Sequence, residues 1–163
     1  MGAGVAGVIC PMVDTPARAA ELVEKCNDGA RVRAGRSLVS PLVADECLAV
    51  VQIESRLGYE NLEEICATPG LFGVLPGSTD LSVAFGGTVG PNYFEREQEA
   101  RLRRIVDVAH ENGLYVSMPA MGREQINAVL DFGTDYTILP GFDMTRLMQG
   151  GREALALVQD VLT

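Results

Sequence analysis

Gln52-Ile53-Glu54-Ser55 closes one apolar run, and Asp80 closes the next inside Gly77-Ser78-Thr79-Asp80-Leu81-Ser82. Two carboxylates at the ends of consecutive strands are the donors that a hard divalent cation takes. Mg²⁺ in particular is usually held by one or two carboxylates, with water and substrate oxygens completing an octahedron. Neighbouring parallel strands lie about 4.8 Å apart, so groups at their ends can share one ion. Without an ion, two carboxylates this close repel and one of them holds its proton longer. The other reading is that Asp80 caps a short turn while Glu54 pairs with Arg56 or another rim arginine. Spacing alone leaves both open.

Several nearby residues bear on that chemistry. Gln52 stands one strand period before Glu54, so both side chains point to the same side. It could orient a substrate oxygen, or make a hydrogen bond within the interior. Gly77-Ser78-Thr79-Asp80 could present backbone N–H groups to a carboxylate or phosphate, because small residues allow close approach. The same tetrad also reads as a plain turn. Lys25 is the only lysine and lies on the last turn of the first predicted helix, away from the strand ends. A Schiff base needs a desolvated lysine at the active centre, so aldol-type chemistry here would have to be metal-assisted. His110 falls near the end of a helix, on a solvated face, and reads as structural. Arg31, Arg33 and Arg36 could clamp an anionic substrate or simply decorate a solvated loop.

These residues are positioned by a repeating pattern. Val5–Met12 is an apolar run suited to a strand covered on both faces, and Asp14-Thr15-Pro16 signals a helix start. The following helix covers Ala17–Cys26 with Ala20, Leu22 and Val23 inward. Asn27–Asp45, with Gly29, Gly35 and Pro41, reads as a long loop without a clean period. Cys47–Ile53 is the second strand, Tyr59–Cys66 the next helix, and Pro69-Gly70 its break. Leu71–Pro76 is the third strand, followed by a Gly-rich loop over Gly77–Tyr93. A strong helix covers Phe94–Glu111 and ends at Asn112-Gly113. Leu114–Pro119, a helix over Arg123–Phe132 and a fifth strand over Tyr136–Pro140 continue the series. Gly150-Gly151 then precedes a terminal helix to about Leu162. Five strand–helix units in alternation imply a parallel sheet with right-handed crossovers. In such folds the ligand sits at the carboxyl ends of the strands. Glu54, Gly77–Asp80, Pro119 and Gly141-Phe142-Asp143 all fall on that rim.

Composition bounds the remainder. The chain has 163 residues, 47% of them apolar and 21% charged, as expected of one globular domain. Thirteen basic residues against 22 acidic ones leave a net charge of −9, which argues against nucleic acid or an anionic membrane surface as partner. Cys10, Cys26, Cys47 and Cys66 form no CxxC pair and His110 is the sole histidine, which argues against zinc. The thiols read as reduced and buried, in keeping with the cytoplasm. The N-terminus lacks the basic flank of a signal peptide and the Ser or Thr that a myristoylation signal needs. No apolar stretch approaches the roughly 20 residues that span a bilayer. The expected protein is soluble and cytoplasmic.

Four segments carry a resemblance. Gly7-Val8-Ile9-Cys10-Pro11-Met12-Val13-Asp14-Thr15, Val51-Gln52-Ile53-Glu54-Ser55, Gly73–Ser82 and Gly141-Phe142-Asp143 resemble the HpcH/HpaI aldolase and citrate lyase family of the phosphoenolpyruvate/pyruvate-binding barrels. The resemblance implies an α/β fold of the (β/α)₈ TIM-barrel type, here a partial one. Its five parallel βα units would match the fourth to eighth of that barrel, with the N-terminal strands absent. It also implies metal ligands at Glu54 and Asp80, with Mg²⁺ or Mn²⁺ as the ion and Co²⁺ a third candidate. Gln52 and the backbone of Gly77, Ser78, Thr79 and Asp80 would hold a pyruvate-like 2-oxo acid. The metal would polarise the carbonyl and stabilise an enolate, allowing reversible aldol cleavage that releases an aldehyde.

The chain departs from the family pattern in three ways. Nothing matches the family's general-base histidine and catalytic arginine, which its first three strands carry. Arg31–Asp45 replaces a longer loop, and Ser78 stands where the family usually has proline in the metal loop. Three functions therefore compete: a metal-dependent carbon–carbon lyase, a non-catalytic protein that keeps metal and oxo-acid affinity, and part of a longer enzyme. Exposed parallel edges call for pairing, so a homo-oligomer or a partner chain is expected.

Overall fold

A computed structural model of the chain describes residues 7–34, 47–90, 92–120, 122–138 and 147–155. Gly141-Phe142-Asp143, Arg36 and the side chains of Arg31 and Arg33 lie outside the described residues. The elements run β1 (Gly7–Cys10), α1 (Pro16–Ala34), β2 (Leu48–Ile53), α2 (Arg56–Glu60), α3 (Leu62–Cys66), β3 (Gly73–Pro76), α4 (Ser78–Ala84), α5 (Arg96–Glu111), β4 (Tyr115–Pro119), α6 (Gly122–Asp131) and β5 (Tyr136–Ile138).

The five strands form one sheet in the order β1-β2-β3-β4-β5, and every neighbouring pair is parallel. Each strand therefore lies beside its neighbour in sequence. A doubly wound sheet instead reverses its order at a switch point and covers both faces with helices. Here the helix-packed hydrophobic cluster lies on one face. Ala49, Val51, Ile53, Val74, Val116 and Met118 from the strands pack with Ala19 and Cys26 of α1, Leu62 and Ile65 of α3, and Leu102, Ile105 and Ala109 of α5. The register pairs Ile9 with Val50, Gln52 with Leu75, Gly73 with Tyr115 and Ser117 with Tyr136. Strand alternation puts these residues on the other face. Ile9 (41%), Tyr115 (50%) and Tyr136 (39%) are exposed there. One-sided cover with sequential strands is the wall of a (β/α)₈ barrel, built here as a partial sheet.

Several predicted boundaries shift. Helix α1 continues to Ala34, through Asn27, Asp28 and Gly29, whose weak helix propensities suggested a loop. Ala20 is exposed and Ala19 is fully buried in its place. The helix expected over Tyr59–Cys66 begins earlier and is divided at Asn61 into α2 and α3. Ser55 caps α2, its side chain accepting from the Gly58 N–H at 2.9 Å, and Asn61 Nδ2 donates to the Asp14 carbonyl at 2.8 Å. The expected Gly-rich loop holds α4, a seven-residue helix with Leu81 and Ser82 buried. Residues 147–155 are helical across Gly150-Gly151, which therefore interrupts nothing.

Candidate functional site

Glu54 is the residue after β2, and it is 6% exposed. Two donors hold its carboxylate. The Met12 N–H donates to Oε1 at 2.8 Å and Gln52 Nε2 donates to Oε2 at 2.6 Å. Gln52 thus shares the side of Glu54, as strand alternation predicts, and orients that carboxylate directly. Met12 adopts the left-handed region at φ 53°, where a residue with a Cβ is strained by about 1–3 kcal/mol. That strain is offset where the neighbourhood fixes the turn: the Val13 N–H donates to the Gln52 carbonyl at 3.3 Å, and the Asp14 carboxylate accepts from the Ser55 hydroxyl. The β1–α1 connection is stitched to the end of β2, and Met12 aims its N–H at Glu54.

The next strand closes the site from the other side. The Gly77 N–H donates to the Ile53 carbonyl at 2.8 Å. A Cβ on Gly77 would stand 2.4 Å from the Glu54 Cβ, 2.7 Å from its Oε2 and 2.9 Å from Gln52 Nε2. Its φ of −78° is open to any residue, so glycine is required here by close approach and not by backbone conformation. Gly77 is the N-cap of α4, which puts Asp80 in the helix's first turn. The Asp80 carboxyl is exposed, yet near enough to hydrogen-bond Glu54. Burial pushes the Glu54 carboxyl above the usual carboxylate range, with the Asp80 charge, the Asp80 hydrogen bond and the Asp14 charge adding to the effect; the Met12 N–H opposes it. Thr79 is half-buried beside Asp80 and Ser78 is buried.

The alternative partner for Glu54 is engaged elsewhere. Arg56 Nη2 donates to the Ala84 carbonyl at 3.2 Å and its guanidinium lies 4.3 Å from the Phe85 ring centre. Lys25 bonds Glu21 one turn back along α1. His110 pairs with Asp135 at 3.0 Å, beside the start of β4 and at the opposite end of the sheet, as a structural residue should. Cys26, Cys47 and Cys66 are buried and Cys10 is half-buried; none of the four forms a disulfide.

The residues present fit a hard divalent cation. The buried Glu54 carboxyl, its proton affinity raised first by burial, stands beside the exposed Asp80, an arrangement that a cation would stabilise. Among the described residues no group of three or more His, Cys, Asp or Glu side chains could hold a metal. Two carboxylates leave most of an octahedron to water and to oxygens of a ligand, as Mg²⁺ and Mn²⁺ accept.

Three contributors escaped the reading of the sequence. Met12 acts through its backbone, and no side-chain pattern marks a backbone donor. Tyr93 and Gln98 lie against Ser78: Gln98 Nε2 donates to the Ser78 carbonyl at 2.8 Å, and the Tyr93 hydroxyl stands beside the Ser78 side chain. Gln98 left a legible sign, since it occupies the apolar stripe that Leu102, Ile105 and Ala109 continue along α5.

A family model described as HpcH/HpaI aldolase/citrate lyase matches residues 1–149. The chain belongs to the HpcH/HpaI aldolase/citrate lyase family. Among curated members, a hydroxypyruvate/pyruvate aldolase of Deinococcus radiodurans is 33% identical over 172 aligned positions, covering 96% of this chain and 60% of the relative. A 2-keto-3-deoxy-L-rhamnonate aldolase of Klebsiella pneumoniae is 33% identical over 136 positions, covering 74% of this chain and 51% of the relative. The crystal structure of an HpcH/HpaI aldolase from Desulfitobacterium hafniense superposes with a TM-score of 0.72 at 17% identity, over 96% of this chain and 64% of that one. The HpcH/HpaI fold is therefore shared, and the chain spans about three-fifths of the length of its first-ranked relatives. Among the described residues no helix is long and apolar enough to cross a membrane.

Proposed function

We propose that the chain forms the metal and oxo-acid half of a divalent-metal-dependent carbon–carbon lyase, cleaving or forming an aldol adduct of a pyruvate-like 2-oxo acid and an aldehyde. The observation that carries the reading is the convergence of buried Glu54 with Asp80, since burial and the neighbouring charge both favour a cation there. The aldolase relatives add support for the substrate class. Mg²⁺ or Mn²⁺ would be held by Glu54 and Asp80, and when bound would supply the Lewis acid that polarises the carbonyl of the oxo acid.

The chain's own residues do the positioning. Gln52 and the Met12 N–H fix the two Glu54 oxygens, so the carboxylate turns toward Asp80 without a search through rotamers. Gly77 keeps space clear beside Glu54, and Thr79 and Asp80 on the first turn of α4 offer backbone N–H groups to the substrate carboxylate. A homo-oligomer belongs to the same proposal, because the outer edges of β1 and β5 have no strand neighbour among the described residues.

A second reading, binding without turnover, is favoured by one observation. His110 is the sole histidine and lies at the far end of the sheet, engaged with Asp135, so the described strand ends offer no imidazole base. Titration calorimetry of Mn²⁺ with and without pyruvate, on wild type and the Glu54→Ala/Asp80→Ala pair, tests the site. Metal-dependent pyruvate binding lost in the double variant is the expected result. Absence of Mn²⁺ binding by folded wild type would sink it. Turnover of pyruvate with a small aldehyde then separates the lyase from the binding protein.

A further inference from the structure

Ser78 begins α4 and is 3% exposed, so its side chain is sealed beneath the turn that carries Asp80. Two buried polar side chains converge on it from the α4–α5 region. Gln98, 1% exposed on α5, donates Nε2 to the Ser78 carbonyl at 2.8 Å. Tyr93, 3% exposed, donates its hydroxyl to the Pro119 carbonyl at 2.5 Å. The same hydroxyl stands beside the Ser78 side chain. Ser78 is thus tied at its carbonyl to α5 and packed against Tyr93, which is itself anchored to the end of β4.

Stability alone does not explain this arrangement. Gln98 Oε1 is buried without a hydrogen-bond partner among the described residues, and a buried unpaired polar atom costs about 1–3 kcal/mol. A leucine of similar size would fill the same place in the stripe between α5 and the sheet without that cost. Seven-residue α4 is also too short to hold its own position, since isolated helices of that length are marginal. Its first turn needs anchors, and the structure supplies two.

We infer that Tyr93 and Gln98 are positioning residues for the carboxylate pair, acting through Ser78 to set where Asp80 stands relative to Glu54. Neither touches metal or substrate. The inference rests on the metal site proposed above and adds what holds that site in register. Partners of this kind typically change metal affinity 10–100-fold when removed.

Mn²⁺ affinity measured by calorimetry on the full chain, beside the melting temperature of the metal-free protein, tests it in wild type, Tyr93→Phe, Gln98→Leu and a control, Val129→Ala. Val129 is fully buried in α6, so its truncation lowers stability without touching α4. The expected result is Mn²⁺ binding weakened about tenfold or more in Tyr93→Phe and Gln98→Leu. Gln98→Leu should melt no lower than wild type, and Val129→Ala should melt lower yet bind normally. Wild-type affinity in both Tyr93→Phe and Gln98→Leu would overturn the inference and leave the site standing. Loss of affinity in Val129→Ala, in step with its stability, would also overturn it. Absence of Mn²⁺ binding in folded wild type would remove the site and the inference together.

Discussion

Glu54 carries a conflict between folding and its proposed function. Its folded carboxyl holds a proton more tightly than a free one does, with burial the first cause and Asp80 the second. In the metal-free protein the unfolded chain ionises first, near about pH 4.3. The unfolded state then binds fewer protons than the folded one, and stability falls as pH rises toward the higher folded value. Glu54→Gln should therefore raise the melting temperature of metal-free protein at pH 7 and flatten this part of its pH profile, while abolishing Mn²⁺ binding. Saturating Mn²⁺ should reverse the ranking, because ligand at about 100 times Kd adds about 2.7 kcal/mol to wild type alone. Thermal melts of both proteins with and without Mn²⁺ check both halves. Gly77→Ala belongs to the same scale. Its Cβ would overlap the Glu54 Cβ and Oε2, an overpacking worth about 1–3 kcal/mol. Urea titration should show that loss, and calorimetry should show weakened Mn²⁺ binding. Normal binding would mean that Glu54 can step aside freely.

Two junctions between elements make predictions of their own. Gly73 lies beside Tyr115 where β3 pairs with β4, and a Cβ there would stand 2.5 Å from the Tyr115 backbone oxygen. Backbone cannot yield as a side chain can, so Gly73→Val should destabilise the sheet by at least about 1–3 kcal/mol in a urea melt. Asp135 ties the turn before β5 to β4. Its Oδ2 accepts from the Val116 N–H at 2.7 Å and faces His110 at 3.0 Å. Burial works to raise its carboxyl, but the Val116 N–H and His110 outweigh it and hold it below the usual carboxylate range. Stability from a lowered carboxyl is present above the unfolded value, about pH 3.9, and is lost as pH falls through the folded one. Asp135→Asn should thus melt below wild type at pH 7, by the equivalent of about 1 kcal/mol, with the gap closing under acid. A gap that persists at low pH would assign the effect to packing instead.

At the scale of the whole molecule, the helices cover one face of the sheet and leave Ile9, Tyr115 and Tyr136 exposed on the other. With the outer edge of β1 unpaired among the described residues, self-association is expected. Ile9→Lys should lower the average mass seen by light scattering, since a charge on an apolar face or a strand edge opposes pairing. An unchanged mass would place the contact elsewhere. How much of this was legible varies with the kind of information. Alternation of apolar runs with amphipathic stretches determined the five strands, their parallel sense and the rim where Glu54 and Asp80 lie, because strand and helix periods are local properties of the chain. The same local reasoning stopped α1 too early at Asn27 and read α4 as loop. Low propensity there is overridden by packing, which a local window does not contain. Spacing could not choose between a metal pair at Glu54 and a salt bridge to Arg56. Only the tertiary structure set the Arg56 salt bridge aside, by sending Arg56 to Phe85 and Ala84 and bringing Asp80, Met12 and Gln52 around one buried carboxylate. Contacts between residues far apart in sequence depend on crossover geometry and close approach at Gly77, and they exist only once the strands lie side by side.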